Sequence, residues 1–179
     1  VQGQEEPEQR DQCDPRLLRL MDRGFIWQLN RSRIMDADRF VIADREGFGG
    51  DVCLRDIRIR RCVGCVTCLT EHPGSCKIED GFTELLGEIL DHEGLVVSIE
   101  PEHGTVPDIV RKTMERLSNI LDAYTECGGN EPIPADKVKL RRIVFECRGK
   151  FADRMESEMT GALRKGPVSD VIFIQKQRS

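Results

Sequence analysis

Gly94-Leu95-Val96-Val97-Ser98-Ile99 decides how this chain folds. It carries four large apolar residues and no polar alternation until Ser98. A strand so uniform belongs inside a parallel sheet, covered on both faces. Downstream, the loop Glu100–Thr105 leads into a long helix. Its apolar face is Val106, Ile109, Val110, Thr113, Met114, Leu117, Ile120 and Leu121, with Pro107 in the first turn. Upstream, Phe82, Leu85, Leu86, Ile89 and Leu90 mark another helix, with Asp80 and Thr83 as candidate caps. Further out, Arg142–Cys147 and Val171–Ile174 read as strands, with a helix over Phe151–Leu163 between them. Toward the N-terminus, Val52–Ile57 reads as the second strand and Phe25–Leu29 as the first. The turn Asn30–Arg33 follows that first strand, and Ser32 is placed to cap a helix from Arg33 to about Arg45. Strand and helix alternate five times. The expectation is an α/β fold: a doubly wound five-stranded parallel sheet with helices on both faces and a functional crevice at the carboxyl ends of the strands.

A chain of 179 residues suits one domain. Residues 1–24 are polar, with one short apolar helix predicted over Pro15–Arg23; the domain proper is expected over 25–179. A net charge of -5 argues against a general nucleic-acid binder. No apolar run approaches the ~20 residues of a membrane helix. The N-terminal stretch has none of the features of a signal peptide, and tightly spaced cysteines favour a reducing compartment, so a cytoplasmic protein is expected.

Four of the eight cysteines fall in Cys62-Val63-Gly64-Cys65-Val66-Thr67-Cys68 and Cys76. Two successive C-x2-C steps bring three thiols into one small volume, and the following loop delivers a fourth. That spacing serves an iron–sulfur cluster or a structural zinc, and it also occurs where cysteines merely shape a loop. Tight clustering in a long, evenly charged chain favours a metal or redox site over a disulfide framework. Cys53 and Cys147 lie in predicted strands and read as small buried residues, while His72 and His92 read as surface residues.

Taken together, three stretches resemble the flavodoxin-like NAD(P)H-dependent FMN reductase family, and within it the iron–sulfur flavoproteins. The first is the cysteine run with Cys76, followed by Lys77-Ile78-Glu79-Asp80. The second is Glu100-Pro101-Glu102-His103-Gly104-Thr105-Val106-Pro107, running on to Glu115-Arg116-Leu117. The third is Asn30-Arg31-Ser32-Arg33, similar to the family's phosphate loop. Two departures stand out. Arg31 occupies the position of the loop glycine, and Glu102-His103 replaces an apolar–Tyr pair.

The resemblance implies an FMN-dependent oxidoreductase in which NAD(P)H delivers hydride to the flavin. Electrons then pass on to a small-molecule or protein acceptor, with or without a [4Fe–4S] cluster on Cys62, Cys65, Cys68 and Cys76. It implies that Asn30, Ser32 and Arg33 hold the FMN phosphate. Pro101, His103, Gly104, Thr105 and Val106 would wrap the ring, with amides of Gly104 and Thr105 bonding its oxygens. It also implies a homodimer or homotetramer; the net charge and the lack of a long apolar run lead separately to the expectation of no nucleic-acid or membrane partner. No nucleophile–base pair is needed, because the cofactor carries the chemistry. The alternative is a protein of the same fold that has lost flavin, uses the cysteines structurally or for zinc, and acts as a binding or assembly module.

Overall fold

A computed structural model describes residues 38–125, 133–149 and 153–176, all within one compact unit, Asp38–Ser179. Five strands form its sheet: β1 (Arg39–Ala43), β2 (Val52–Cys53), β3 (Gly94–Ile99), β4 (Arg142–Arg148) and β5 (Asp170–Lys176). The order is β2-β1-β3-β4-β5 and every pairing is parallel. The architecture is α/β, as expected, and consistent with a flavodoxin-like fold. The α-helices among the described residues are the single turn α1 (Thr67–Thr70), then α2 (Gly81–Asp91), α3 (Asp108–Leu121) and α4 (Asp153–Leu163).

Alternate strand residues build the core. Phe40, Ile42, Leu95, Val97, Ile99, Ile143 and Phe145 share one cluster with Phe82, Leu85 and Ile89 of α2, Val110, Met114, Leu117 and Ile120 of α3, and Leu163 of α4. Of the helices expected on both faces, the three longer ones among the described residues therefore pack on the same face. Each such side chain, fully buried, contributes about 1.5–3 kcal/mol. On the other face Ala43, Val96, Ser98, Val144 and Ile174 are also buried. Burial on both faces explains why β3 reads as a continuous apolar run.

Two expectations are corrected. The helix placed from Arg33 to Arg45 gives way to strand β1 over Arg39–Ala43. Phe40, Val41 and Ile42 supply a β-prone run, and β1 pairs with β3 residue for residue from Arg39↔Gly94 to Ala43↔Ser98. Pairing along its whole length outweighs an imperfect helical stripe. The strand placed at Val52–Ile57 ends after Cys53, and Leu54–Asp56 forms a 3-10 turn that buries Leu54 completely. The strand expected at Phe25–Leu29 lies outside the described residues. Among those residues, no helix is long and apolar enough to cross a membrane.

β1 and β2 run parallel although only residues 44–51 join them. The connection folds back on β1: the Asp51 amide donates to Val41 O (2.8 Å), and Val41 N–H donates to the Asp51 carboxylate (2.7 Å). From β2 the chain passes across β1 to reach β3. The β1/β3 boundary is thus the point where the strand order reverses, the usual location of a crevice in such sheets.

Candidate functional site

The chain enters the cysteine bend as an extended segment and turns at two left-handed positions, Gly64 (φ 67°) and Val66 (φ 52°). Glycine takes that conformation freely; a β-branched residue does not. Val66 O then accepts the amides of Leu69 (2.9 Å) and Thr70 (3.2 Å), closing α1. The return loop is tied to this turn, since the Gly74 amide donates to Cys68 O at 3.0 Å. As a result Cys62, Cys65, Cys68 and Cys76 line one cavity of about 80 Å³, closed from below by Arg116, Asn119 and Ile120 of α3. Among the described residues, no three His, Cys, Asp or Glu side chains converge closely enough to share a single ion.

Helix α3 supplies the polar floor. Arg116 is 2% exposed. Its guanidinium lies over the Phe82 ring, 4.2 Å from the centroid, and donates to Cys76 Sγ (3.0 Å), Ile78 O (3.1 Å) and both Asp80 oxygens (2.7 and 2.8 Å). Asp80 also accepts the amides of Arg60 (2.8 Å) and Phe82 (3.1 Å), the latter as N-cap of α2. Burial works against the charge on Asp80. The Arg60 amide, Arg116 and the Phe82 amide outweigh it, and hold the carboxyl below its usual range. One turn along α3, Asn119 Nδ2 donates to Cys62 Sγ (3.3 Å), which also accepts the Gly64 amide (3.4 Å).

The four sulfurs differ in their surroundings. Cys65 is exposed, and hydrogen bonds from Thr67, backbone first and then side chain, lower its thiol pKa. Burial raises that of Cys68, and the nearby Cys76 and Cys62 add to the effect. Outside the bend, Asp108 at the start of α3 is bonded by Lys112, Arg111 and Arg61, which ties the bend to the helix. Those cations hold its carboxyl down at about 2, with Lys112 contributing most.

The other expected site lies at the β1/β3 boundary. Residues Glu102–Thr105 form a two-residue hairpin turn, with His103 (φ 53°) and Gly104 (φ 77°) both left-handed. The Thr105 amide donates to Glu102 O at 2.9 Å, and its hydroxyl donates to the same oxygen at 2.7 Å. One of the two expected donors to a flavin ring, the Thr105 amide, is therefore already engaged. Val106 is buried in the core, and Pro101 lies against Gly149. Glu102 accepts from Arg55 (2.9 Å) and Arg45 (3.4 Å), while Arg45 also reaches Glu100 (3.1 Å) and Asp44 (2.9 Å). Asp44, at the end of β1, is fully buried. Its Oδ2 meets Arg45, whereas Oδ1 has no partner in hydrogen-bonding geometry among the described residues. Burial, opposed by Arg45 and Arg55, leaves its pKa raised.

The structure thus brings the four predicted cysteines together, while the predicted ring loop forms a self-bonded turn. Asn30, Ser32 and Arg33 lie outside the described residues; the loop that follows the observed β1 is 44–51. Sequence reasoning gave no role to Asn119, and quoted Arg116 only as part of a resemblance. Arg116 carried a legible signal: a charge three residues after Thr113 and four before Ile120, on the buried stripe of α3. Cys147 is buried as expected, with its thiol pushed up to about 12 by burial first and nearby glutamates second. No family model matches the chain, and no curated protein matches it.

Proposed function

We propose that the chain is an electron-transfer oxidoreductase built on a flavodoxin-like sheet, with a [4Fe–4S] cluster held by Cys62, Cys65, Cys68 and Cys76. In the full reading, FMN takes hydride from NAD(P)H and the acceptor is a small molecule or a protein. The observation that carries the proposal is the cysteine quartet around a cavity, with N–H donors already aimed at three of its sulfurs, two of them reached by side chains of α3. Thiolates on one zinc stand about 3.8 Å apart, given Zn–S lengths of about 2.3 Å. Four thiols lining one cavity supply the ligand set that a [4Fe–4S] centre takes, and the family resemblance favours it over zinc. Such a centre, when bound, exchanges one electron at a time. The chain's own part is to gather the four sulfurs, shield Cys68 and Cys76, and leave the Cys65 corner at the surface. The flavin half of the reading rests on the family resemblance.

A second reading has support of its own. Arg45 and Arg55 are engaged by Asp44, Glu100 and Glu102, and the Thr105 amide is used within its turn. Those features favour a protein that keeps the cysteine site and has given up flavin. One experiment separates the readings: anaerobic reconstitution with iron and sulfide, then titration with FMN, followed by visible absorbance, metal and sulfide assays and flavin fluorescence. Brown protein with equal iron and sulfide that also quenches FMN fluorescence supports the full reading. Brown protein that leaves FMN fluorescent supports the second. Protein that stays colourless and takes up zinc would overturn the cluster.

A further inference from the structure

We infer that Arg116 and Asn119 of α3 set the reduction potential of the cysteine site by donating hydrogen bonds to two of its four sulfurs. The inference rests on the cluster reading and goes beyond it, because it assigns a task to residues that are not ligands. The two side chains sit three residues apart, one turn of helix, and so face the same cavity. Arg116 reaches Cys76 Sγ at 3.0 Å and Asn119 reaches Cys62 Sγ at 3.3 Å.

Reduction adds one electron and makes the thiolate sulfurs more negative. An N–H aimed at sulfur favours the reduced state and raises the potential. Both donors come from a rigid fourteen-residue helix whose other contacts fix their position. Arg116 is further locked by Asp80, Ile78 O and Phe82. Because Asp80 balances its charge, Arg116 acts on the sulfur chiefly as a directed donor. Asn119 is neutral and lacks such a lock, which makes it the cleaner probe. Both are positioning residues.

The test is a spectroelectrochemical titration of anaerobically reconstituted full-length protein, with iron and sulfide measured on each sample. Wild type is compared with Asn119→Ala, Asn119→Asp and Arg116→Lys. Lys139→Ala, whose exposed side chain pairs with Asp91 and does not line the cavity, is the control. The expected result is unchanged iron content with a lower midpoint potential in all three variants, lowest in Asn119→Asp, where a carboxylate replaces the donor. Lys139→Ala keeps the wild-type potential. Full iron loading with unchanged potentials in Asn119→Ala and Asn119→Asp overturns the inference and leaves the cluster reading intact. Loss of iron uptake in Asn119→Ala assigns that residue to holding the bend and also overturns it. Wild type that takes up no iron removes both.

Discussion

The cysteine bend and the β1/β3 boundary are both assembled from polar and charged side chains, and they dispose of them in opposite ways. At the boundary, Arg45 and Arg55 are met by Asp44, Glu100 and Glu102, and the nearby turn uses its own amide. The group left over, Asp44 Oδ1, is buried. At the bend, Arg116 and Asn119 reach out of α3 to sulfurs that border a cavity. One region closes on itself; the other offers donors and thiols around a space. A crevice's usual address in this kind of sheet is therefore a poorer guide here than where the hydrogen-bond donors point.

Removing the pivot of the bend should have the largest effect. Arg116→Ala strands Asp80 in the interior and empties the space over Phe82, so unfolding free energy should fall by about 3–5 kcal/mol in a urea titration. A loss below about 1 kcal/mol would mean that Asp80 finds other partners, and that α3 is not the foundation of the bend. Gly81→Ala comes next. A methyl group at Gly81 would stand 2.0 Å from Ile57 Cγ2, on the segment that enters the bend. Overpacking there should cost about 1–3 kcal/mol and reduce iron uptake with it.

Asp44→Asn probes the other region. Its raised pKa means that the folded chain holds the proton more tightly than the unfolded one. The wild type therefore gains stability from this group at low pH and loses it as pH rises through the folded pKa. The Asn variant lacks that loss, so the gap between the two should open in its favour above about pH 4. Denaturant midpoints measured from pH 3.5 to 7 check the sign. A variant less stable than wild type at pH 7 would show that the Arg45 contact outweighs burial.

The smallest effect is expected for Asp108→Asn, which loosens the tie between Arg61 and α3. Asp108 is held at about 2, so its contribution is present above the ordinary carboxylate range and lost as pH falls toward 2. It is 45% exposed, so solvent screening limits the effect to about 0.5 kcal/mol at pH 7. The difference from wild type should vanish near pH 2.

Much of the fold was legible in the sequence. β3, β4 and β5 announced themselves as apolar runs, and α2 and α3 as helical stripes. Pattern and packing agree in those segments. Arg39–Ala43 misled, because five residues are too few to separate strand from helix by periodicity; parallel pairing to β3 decided it. Val52–Ile57 was read too long, since a turn that buries Leu54 looks like a strand in one dimension. The cysteine site was visible from spacing alone. Its supporting donors were not, because Asn119 meets Cys62 across fifty-seven residues of chain. No local rule encodes that contact.

Val66 carries one last implication. Holding a β-branched residue left-handed costs on the order of 1–3 kcal/mol, and glycine at that place, as at Gly64, would avoid the strain. Yet the valine side chain is 55% exposed, and Val63, at 71%, stands on the other side of Cys65. Neither contributes to the interior. Both line the cavity beside the outermost sulfur, so any group seated there would meet apolar walls as well as thiols, and the strain at this corner keeps one of those walls in place.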